Sequence, residues 1–179
     1  MIVAEVRTMP VFCYYRGLII CYLLQEEKSI LDIKKVEKKA REQFGEGNLF
    51  CAESVLLTIA EELQIVSPLI PRIATGFCSG FARTNGMCGA VSGAVMALGI
   101  VFGRDDEKQS HEMVYKKVQQ FMRSFKKKYT ATNCFDLTGC NFNTIAGQQR
   151  FYQKEIIDQC REYTGIAAGL AAKIINDGA

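Results

Sequence analysis

The chain is poor in the residues most enzyme centres use. It has one histidine, His111, among 179 residues. That excludes every site needing two imidazoles, the HExxH metalloproteases and two-histidine iron centres among them. His111 sits in the polar run Gln109-Ser110-His111-Glu112 and reads as an exposed side chain rather than a ligand or base. Tryptophan is absent and proline occurs three times. Neither charge sign dominates: 22 Lys plus Arg stand against 19 Asp plus Glu, a net +3. A dedicated nucleic-acid binder carries more imbalance, so no nucleic-acid partner is expected. The N-terminal apolar stretch Gly17–Leu24 is eight residues long, where a spanning helix needs about 20. Gln25-Glu26-Glu27-Lys28 follows it rather than a small-x-small cleavage site, and there is no twin arginine. The expectation is a cytoplasmic protein without a stable membrane span. With 49% hydrophobic and 23% charged residues the chain is not intrinsically disordered.

What the chain does have is cysteine. There are eight: Cys13, Cys21, Cys51, Cys78, Cys88, Cys134, Cys140 and Cys160. This is about half the density of a small disulfide scaffold. In a reducing compartment such thiols bind metals, do chemistry or pack. No Cys-x-x-Cys occurs, which removes support for thioredoxin-like motifs, zinc ribbons, c-type haem attachment and bacterial ferredoxin runs.

Residues 1–28 are apolar, β-branched and aromatic without a helical stripe, and read as an N-terminal extension, either an extra strand or loop or the product of an upstream start codon. Residues 29–179 form the helical, cysteine-rich domain. Ser29 and Asp32 resemble a capping box, and Ile30, Ile33, Val36, Ala40 and Phe44 follow at helix spacing. Gly45-Glu46-Gly47 ends that helix, and Asn48 is the expected cap of the next, whose apolar face is Val55, Leu56, Ile59, Ala60 and Leu63. Pro68 and Pro71 break the pattern, and a loop of small residues runs from Gly76 to Gly86. A third helix starts near Met87 or Cys88 and runs to about Phe102, and Asp105 or Asp106 is the expected cap of the next. Val114, Val118, Phe121 and Phe125 form its apolar stripe. A last helical stretch spans about Ala146 to Ile175, with a break expected near Thr164-Gly165. The predicted fold is all-α, a compact bundle of five to seven helices.

The most informative run is Cys88-Gly89-Ala90-Val91-Ser92-Gly93-Ala94. Two glycines within about a turn cost a helix roughly 1 kcal/mol each relative to alanine, so a packing or site demand must offset them. Cys88 stands at a helix start, where unpaired amides and the dipole favour a thiolate. Arg83, five residues earlier, is expected to add positive charge. Cys51 occupies a similar place after Asn48. Buried cysteines and small-residue faces also occur as plain packing.

Cys51-Ala52-Glu53, the run Gly76 to Arg83, Cys88-Gly89-Ala90-x-x-Gly93, then Cys134 and Cys160 together resemble the C_GCAxxG_C_C family of redox-active proteins. The likeness covers about residues 33 to 175. The family label writes glycine before cysteine, whereas here Cys88 precedes Gly89. The resemblance implies a small protein with four signature cysteines, often encoded near oxidoreductase or transporter genes, so it implies an oxidoreductase or transporter component as partner. Carried over by position, the four are Cys51, Cys88, Cys134 and Cys160, with Cys134 preferred to Cys140 as the third. Cys78 and Cys140 are extra thiols and auxiliary candidates, and the export signal of some members is missing.

Four thiolates can hold an iron–sulfur cluster, hold zinc, or cycle between dithiol and disulfide. The intervals of 37, 46 and 26 positions between the four require four separate elements to converge. The leading expectation is a redox or electron-transfer protein with a cysteine-ligated iron–sulfur cluster, zinc being the alternative metal. A metal-free thiol–disulfide protein and a helical interaction module with structural cysteines are the competing readings. Gly76, Gly80 and Gly86 lack the Lys-Ser/Thr of a phosphate loop, the lysines between 116 and 128 read as a solvated face, and no nucleophile elbow is present.

Overall fold

The structure, a computed structural model, describes residues 30–45 and 48–178. The extension 1–28, Ser29 of the expected capping box, and Glu46 and Gly47 lie outside the described residues. Among those described, the elements are α1 (Ile33–Gln43), α2 (Cys51–Glu62), a 3-10 turn (Arg72–Phe77), α3 (Cys78–Arg83), α4 (Gly89–Phe102), α5 (Glu112–Tyr129), α6 (Cys134–Thr138), α7 (Ile145–Phe151) and α8 (Lys154–Asn176). No β-sheet forms among them, only isolated bridges between Phe44 and Leu49 and between Met87 and Asn133. The fold is all-α. Its eight α segments exceed the expected five to seven because α3, α6 and α7 are single turns or pairs of turns, too short for apolar periodicity to register.

Asp32 caps α1 by accepting a hydrogen bond from the Lys35 amide at 3.1 Å. Val36, Ala40 and Phe44 are buried as their spacing predicts, while Ile30, ahead of the helix, is exposed. Helix α8 is the central element and packs against α1, α2, α4 and α5. It runs unbroken through Thr164-Gly165. The interruption lies instead at Tyr152-Gln153, and Gly165 serves close packing, since a Cβ there would lie 2.6 Å from the Arg41 side chain. On α5, Phe121 and Phe125 are wholly buried. That helix starts at Glu112 rather than at Asp105 or Asp106, with His111 at its cap position.

The buried apolar residues form two clusters. The larger is built from α1, α2, α4, α5 and α8. The smaller holds Phe44, Cys134, Cys140, Phe142, Phe151, Ile156 and Cys160. Cys51 packs against both, so the start of α2 stands on the seam between them. No helix among the described residues is long and apolar enough to cross a membrane.

Candidate functional site

The site begins with the close approach of α2 and α4. A Cβ on Gly93 would lie 2.6 Å from the Ala52 carbonyl oxygen, and one on Gly89 would fall on the Cys51 sulfur. The two glycines, costly in isolation, let the start of α4 press against the start of α2 and leave room for a thiol between them. Phe50, not Asn48, precedes α2 at its cap position. The helix start is secured from the other side: the buried Glu53 carboxylate accepts the Phe50 amide at 2.9 Å and the Thr75 hydroxyl at 2.6 Å. Glu53 and Thr75 therefore hold Cys51 in place, a role the sequence did not reveal because a carboxylate in a first turn is ordinarily solvated.

The expected loop of small residues is instead a 3-10 turn followed by a left-handed one. Ser79, Gly80, Phe81 and Ala82 have φ between 51° and 67°, and Arg83 has φ 71°. Left-handed conformation costs a non-glycine residue roughly 1–2 kcal/mol. Gly80 is the point of closest contact, because a Cβ there would lie 2.6 Å from the Cys134 Cβ. The turn is pinned to the segment before α6. The Gly86 amide donates to the Gly80 carbonyl at 3.0 Å, the Cys134 amide to the Gly86 carbonyl at 2.8 Å and the Cys88 amide to the Thr132 carbonyl at 2.9 Å. These bonds bring the start of α4 and the start of α6 side by side.

The outcome is one small hollow lined by Cys51, Cys88, Cys134 and Cys160. Phe44, Phe50 and Phe151 supply its apolar wall, and Ser79 and Thr138 its hydroxyls. Its side chains nearly fill it: the free cavity is about 10 Å³, roughly the room one water needs. Each cysteine comes from a different helix or helix start: α2, the α4 cap, α6 and α8. All six described cysteines are free thiols. Among the described residues, no three His, Cys, Asp or Glu side chains are arranged to hold a metal ion. The four sulfurs thus face a common space without being drawn together around one point.

The extra thiols lie elsewhere. Cys140 is buried in the smaller cluster, its thiol 3.8 Å from the Thr138 carbonyl. Cys78 is buried in the larger cluster, its thiol 3.7 Å from the Ala74 carbonyl. Arg83 does not supply positive charge to Cys88. It is exposed, outside the cysteine hollow, and reaches the Gln148 side chain at 3.4 Å, because the left-handed turn carries it outward. His111 stands beside Glu112 and Tyr115 and does not line the hollow.

The thiols differ sharply in acidity. The Cys78 thiol hydrogen-bonds the Cys51 sulfur, and the Ser79, Ala52 and Cys51 amides assist it against burial, lowering Cys51 to about 7. Cys78 moves the opposite way: its bond to Cys51 keeps its own proton, and burial adds to this. The pair releases one proton readily and holds the second. Burial, then the neighbouring Cys51 and Cys134, pushes the Cys88 thiol far up, and the Ala90 and Val91 amides do not offset it. The expectation that a helix start favours the Cys88 thiolate is therefore corrected: desolvation outweighs the dipole. Burial, then Cys51 and Cys140, pushes Cys134 up to about 12. Burial also raises Cys160, with Cys51, Cys88, Cys134 and Cys140 contributing.

No curated protein and no solved structure matches this chain significantly. One protein family does: residues 49–174 match the family described as "Putative redox-active protein (C_GCAxxG_C_C)". The matched span starts just ahead of Cys51, ends within α8, and contains all four cysteines of the hollow. Since it covers well over half of the chain, this protein belongs to the C_GCAxxG_C_C family.

Proposed function

We propose that this protein transfers electrons through an iron–sulfur cluster ligated by Cys51, Cys88, Cys134 and Cys160. The observation that supports this reading is the shared hollow: four thiols from four distant parts of the chain face one enclosed, otherwise apolar space. The donor set fits such a cluster in kind, since four cysteine sulfurs are its standard complement. When bound, the cluster supplies one-electron redox chemistry.

The chain's own residues account for the rest. Burial keeps Cys88, Cys134 and Cys160 protonated as long as no cation faces them, and metal binding displaces such protons. Cys51, whose thiol is the one made more acidic, is the sulfur ready to ligate first. Phe44, Phe50 and Phe151 keep bulk water from the sulfurs, which tunes potential and limits hydrolysis. The reading requires reduced thiols, so we assign it to a reducing compartment such as the cytoplasm. An oxidoreductase or transporter component, the neighbour implied by the family resemblance, is the partner it calls for.

The test is to purify the protein without oxygen and measure iron, acid-labile sulfide, zinc and the visible spectrum. Bound iron and sulfide with a visible absorption that dithionite bleaches support the proposal. Replacement of Cys88 or Cys160 by serine should then lower iron content at least severalfold, while Cys140→Ser leaves it unchanged. A colourless protein that holds zinc, or no metal after attempted reconstitution, overturns the iron reading.

A further inference from the structure

The near balance of charge over the whole chain hides a strong local imbalance. Helix α5 holds six of the 22 Lys and Arg but only one of the 19 Asp and Glu, Glu112. It carries a net +5 within a chain of net +3, so the rest of the chain is net negative. At 3.6 residues per turn, Lys116, Arg123 and Lys127 fall on one line, opposite the buried Phe121 and Phe125. That line runs about 16 Å along the helix axis. Lys126 and Lys128 flank its C-terminal end, and all five of these side chains are exposed. The sixth cation, Lys117, lies over the Phe102 ring. Elsewhere the fold neutralises its cations: on α1, Lys35, Lys38, Lys39 and Arg41 each pair with a glutamate. Among the described residues, no α5 cation makes an ion pair.

The same helix ends beside the cysteine hollow. The Lys128 ammonium stands over the Tyr129 ring, whose centroid is 4.8 Å from that of Tyr163. Tyr163 follows Cys160 by about one turn of α8, and its hydroxyl donates to the Leu137 carbonyl of α6 at 3.0 Å. Three residues beyond Tyr129, the Thr132 carbonyl accepts the Cys88 amide. A body seated over Lys126, Lys127 and Lys128 is therefore next to the elements that carry Cys134 and Cys160 into the hollow.

We propose that this face of α5 docks the carboxylate-rich surface of an acidic electron-carrier protein. That the partner carries electrons rests on the function proposed above; the charge and its placement do not. An unneutralised field of one sign steers and orients a partner of the other. Electron-transfer encounters bury little area, which suits a stripe of this length. A lipid surface fits it poorly, because the apolar stripe that would enter the lipid is buried in the core. A nucleic acid running past the helix would meet the net-negative remainder of the chain.

The experiment uses the full chain, freed of metal, and a plant-type two-iron ferredoxin as the acidic probe. Surface plasmon resonance should detect binding at about 0.01 M ionic strength that weakens severalfold by about 0.15 M, as the screening length falls from about 30 to 8 Å. The variant with Lys126→Glu, Lys127→Glu and Lys128→Glu should lose about tenfold or more in affinity. A control with Lys34→Glu, Lys108→Glu and Lys173→Glu makes the same change in net charge at exposed cations off α5, and should lose less than about threefold. An equal loss in both variants, absence of ferredoxin binding, or tighter binding of duplex DNA or of phosphatidylserine vesicles overturns the proposal. In protein that holds iron, electron delivery from reduced ferredoxin should slow by the same factor in the α5 variant, while dithionite reduces both variants alike. Ferredoxin binding by a chain that takes up no iron would remove the cluster and leave the docking face; iron uptake without ferredoxin binding would do the reverse.

Discussion

Cys51 and Cys88 each stand at the start of a helix in the same hollow, yet their acidities move in opposite directions. Cys51 has outside donors: the Cys78 thiol and the Ser79 amide, which the left-handed turn delivers. Cys88 has only the first amides of its own helix, and it is enclosed between Cys51 and Cys134. A helix start contributes a modest stabilisation of an anion, whereas full burial shifts an ionisable group by several units. The position in the helix is therefore not what makes a reactive thiol. The neighbours that replace water decide it.

The sharpest way to break this contrast is alkylation. In metal-free reduced protein, iodoacetamide should modify Cys51 about a hundredfold or more faster than Cys88 at pH 7.5, because only the thiolate reacts. The Cys51 rate should rise as pH climbs through about 7 and level off above it, and fall as pH drops below it. Cys88 stays protonated over that range, so its rate remains low throughout. Equal rates, measured by mass spectrometry of the labelled peptides, would mean that the Cys78 and Ser79 donors do not act as described.

Glycine replacements along α4 sharpen the same contrast at smaller scale. Gly89→Ala pushes a methyl group onto the Cys51 sulfur and the Phe77 carbonyl, and overpacking of this kind costs about 1–3 kcal/mol. Gly99, on the same helix, has open space around its missing Cβ. Gly99→Ala should therefore stabilise by up to about 1 kcal/mol through helix propensity alone. Denaturant melts that show both changes with the same sign would contradict the α2–α4 contact. Gly89→Ala should also slow Cys51 alkylation, since it displaces the sulfur from its donors.

Much of this was legible in the chain before any coordinates. The apolar stripes of α1, α2 and α5 carry period 3.6, and Val36, Val55, Ile59, Phe121 and Phe125 are buried where that period puts them. The paired Gly89 and Gly93 announced a close helix contact. Helix α8 was misjudged at Thr164-Gly165, because a glycine that serves packing and one that ends a helix look alike without the neighbour. The convergence of Cys51, Cys88, Cys134 and Cys160 was not legible from spacing, since intervals of this length carry no geometry. The left-handed turn was hidden altogether. Ser79, Phe81, Ala82 and Arg83 are not residues that favour positive φ, and bonds made by Gly80, Thr84 and Gly86 hold the turn they lie in.

That turn supplies the smallest of these effects and a test by sign. An alanine to glycine change inside a right-handed helix costs about 1 kcal/mol. Ala82 has φ 51° and ψ 45°, where its Cβ is itself the source of strain. Ala82→Gly should relieve that strain, offset in part by the added freedom of the unfolded chain, and stabilise by less than about 1 kcal/mol. Ala82 is exposed and does not line the hollow, so the Cys51 alkylation profile should stay where it is. A loss of about 1 kcal/mol in the same melt would mean that the turn is right-handed. Ser79 would then have no reason to present its amide to Cys51, and the difference between the two helix starts would lose its cause.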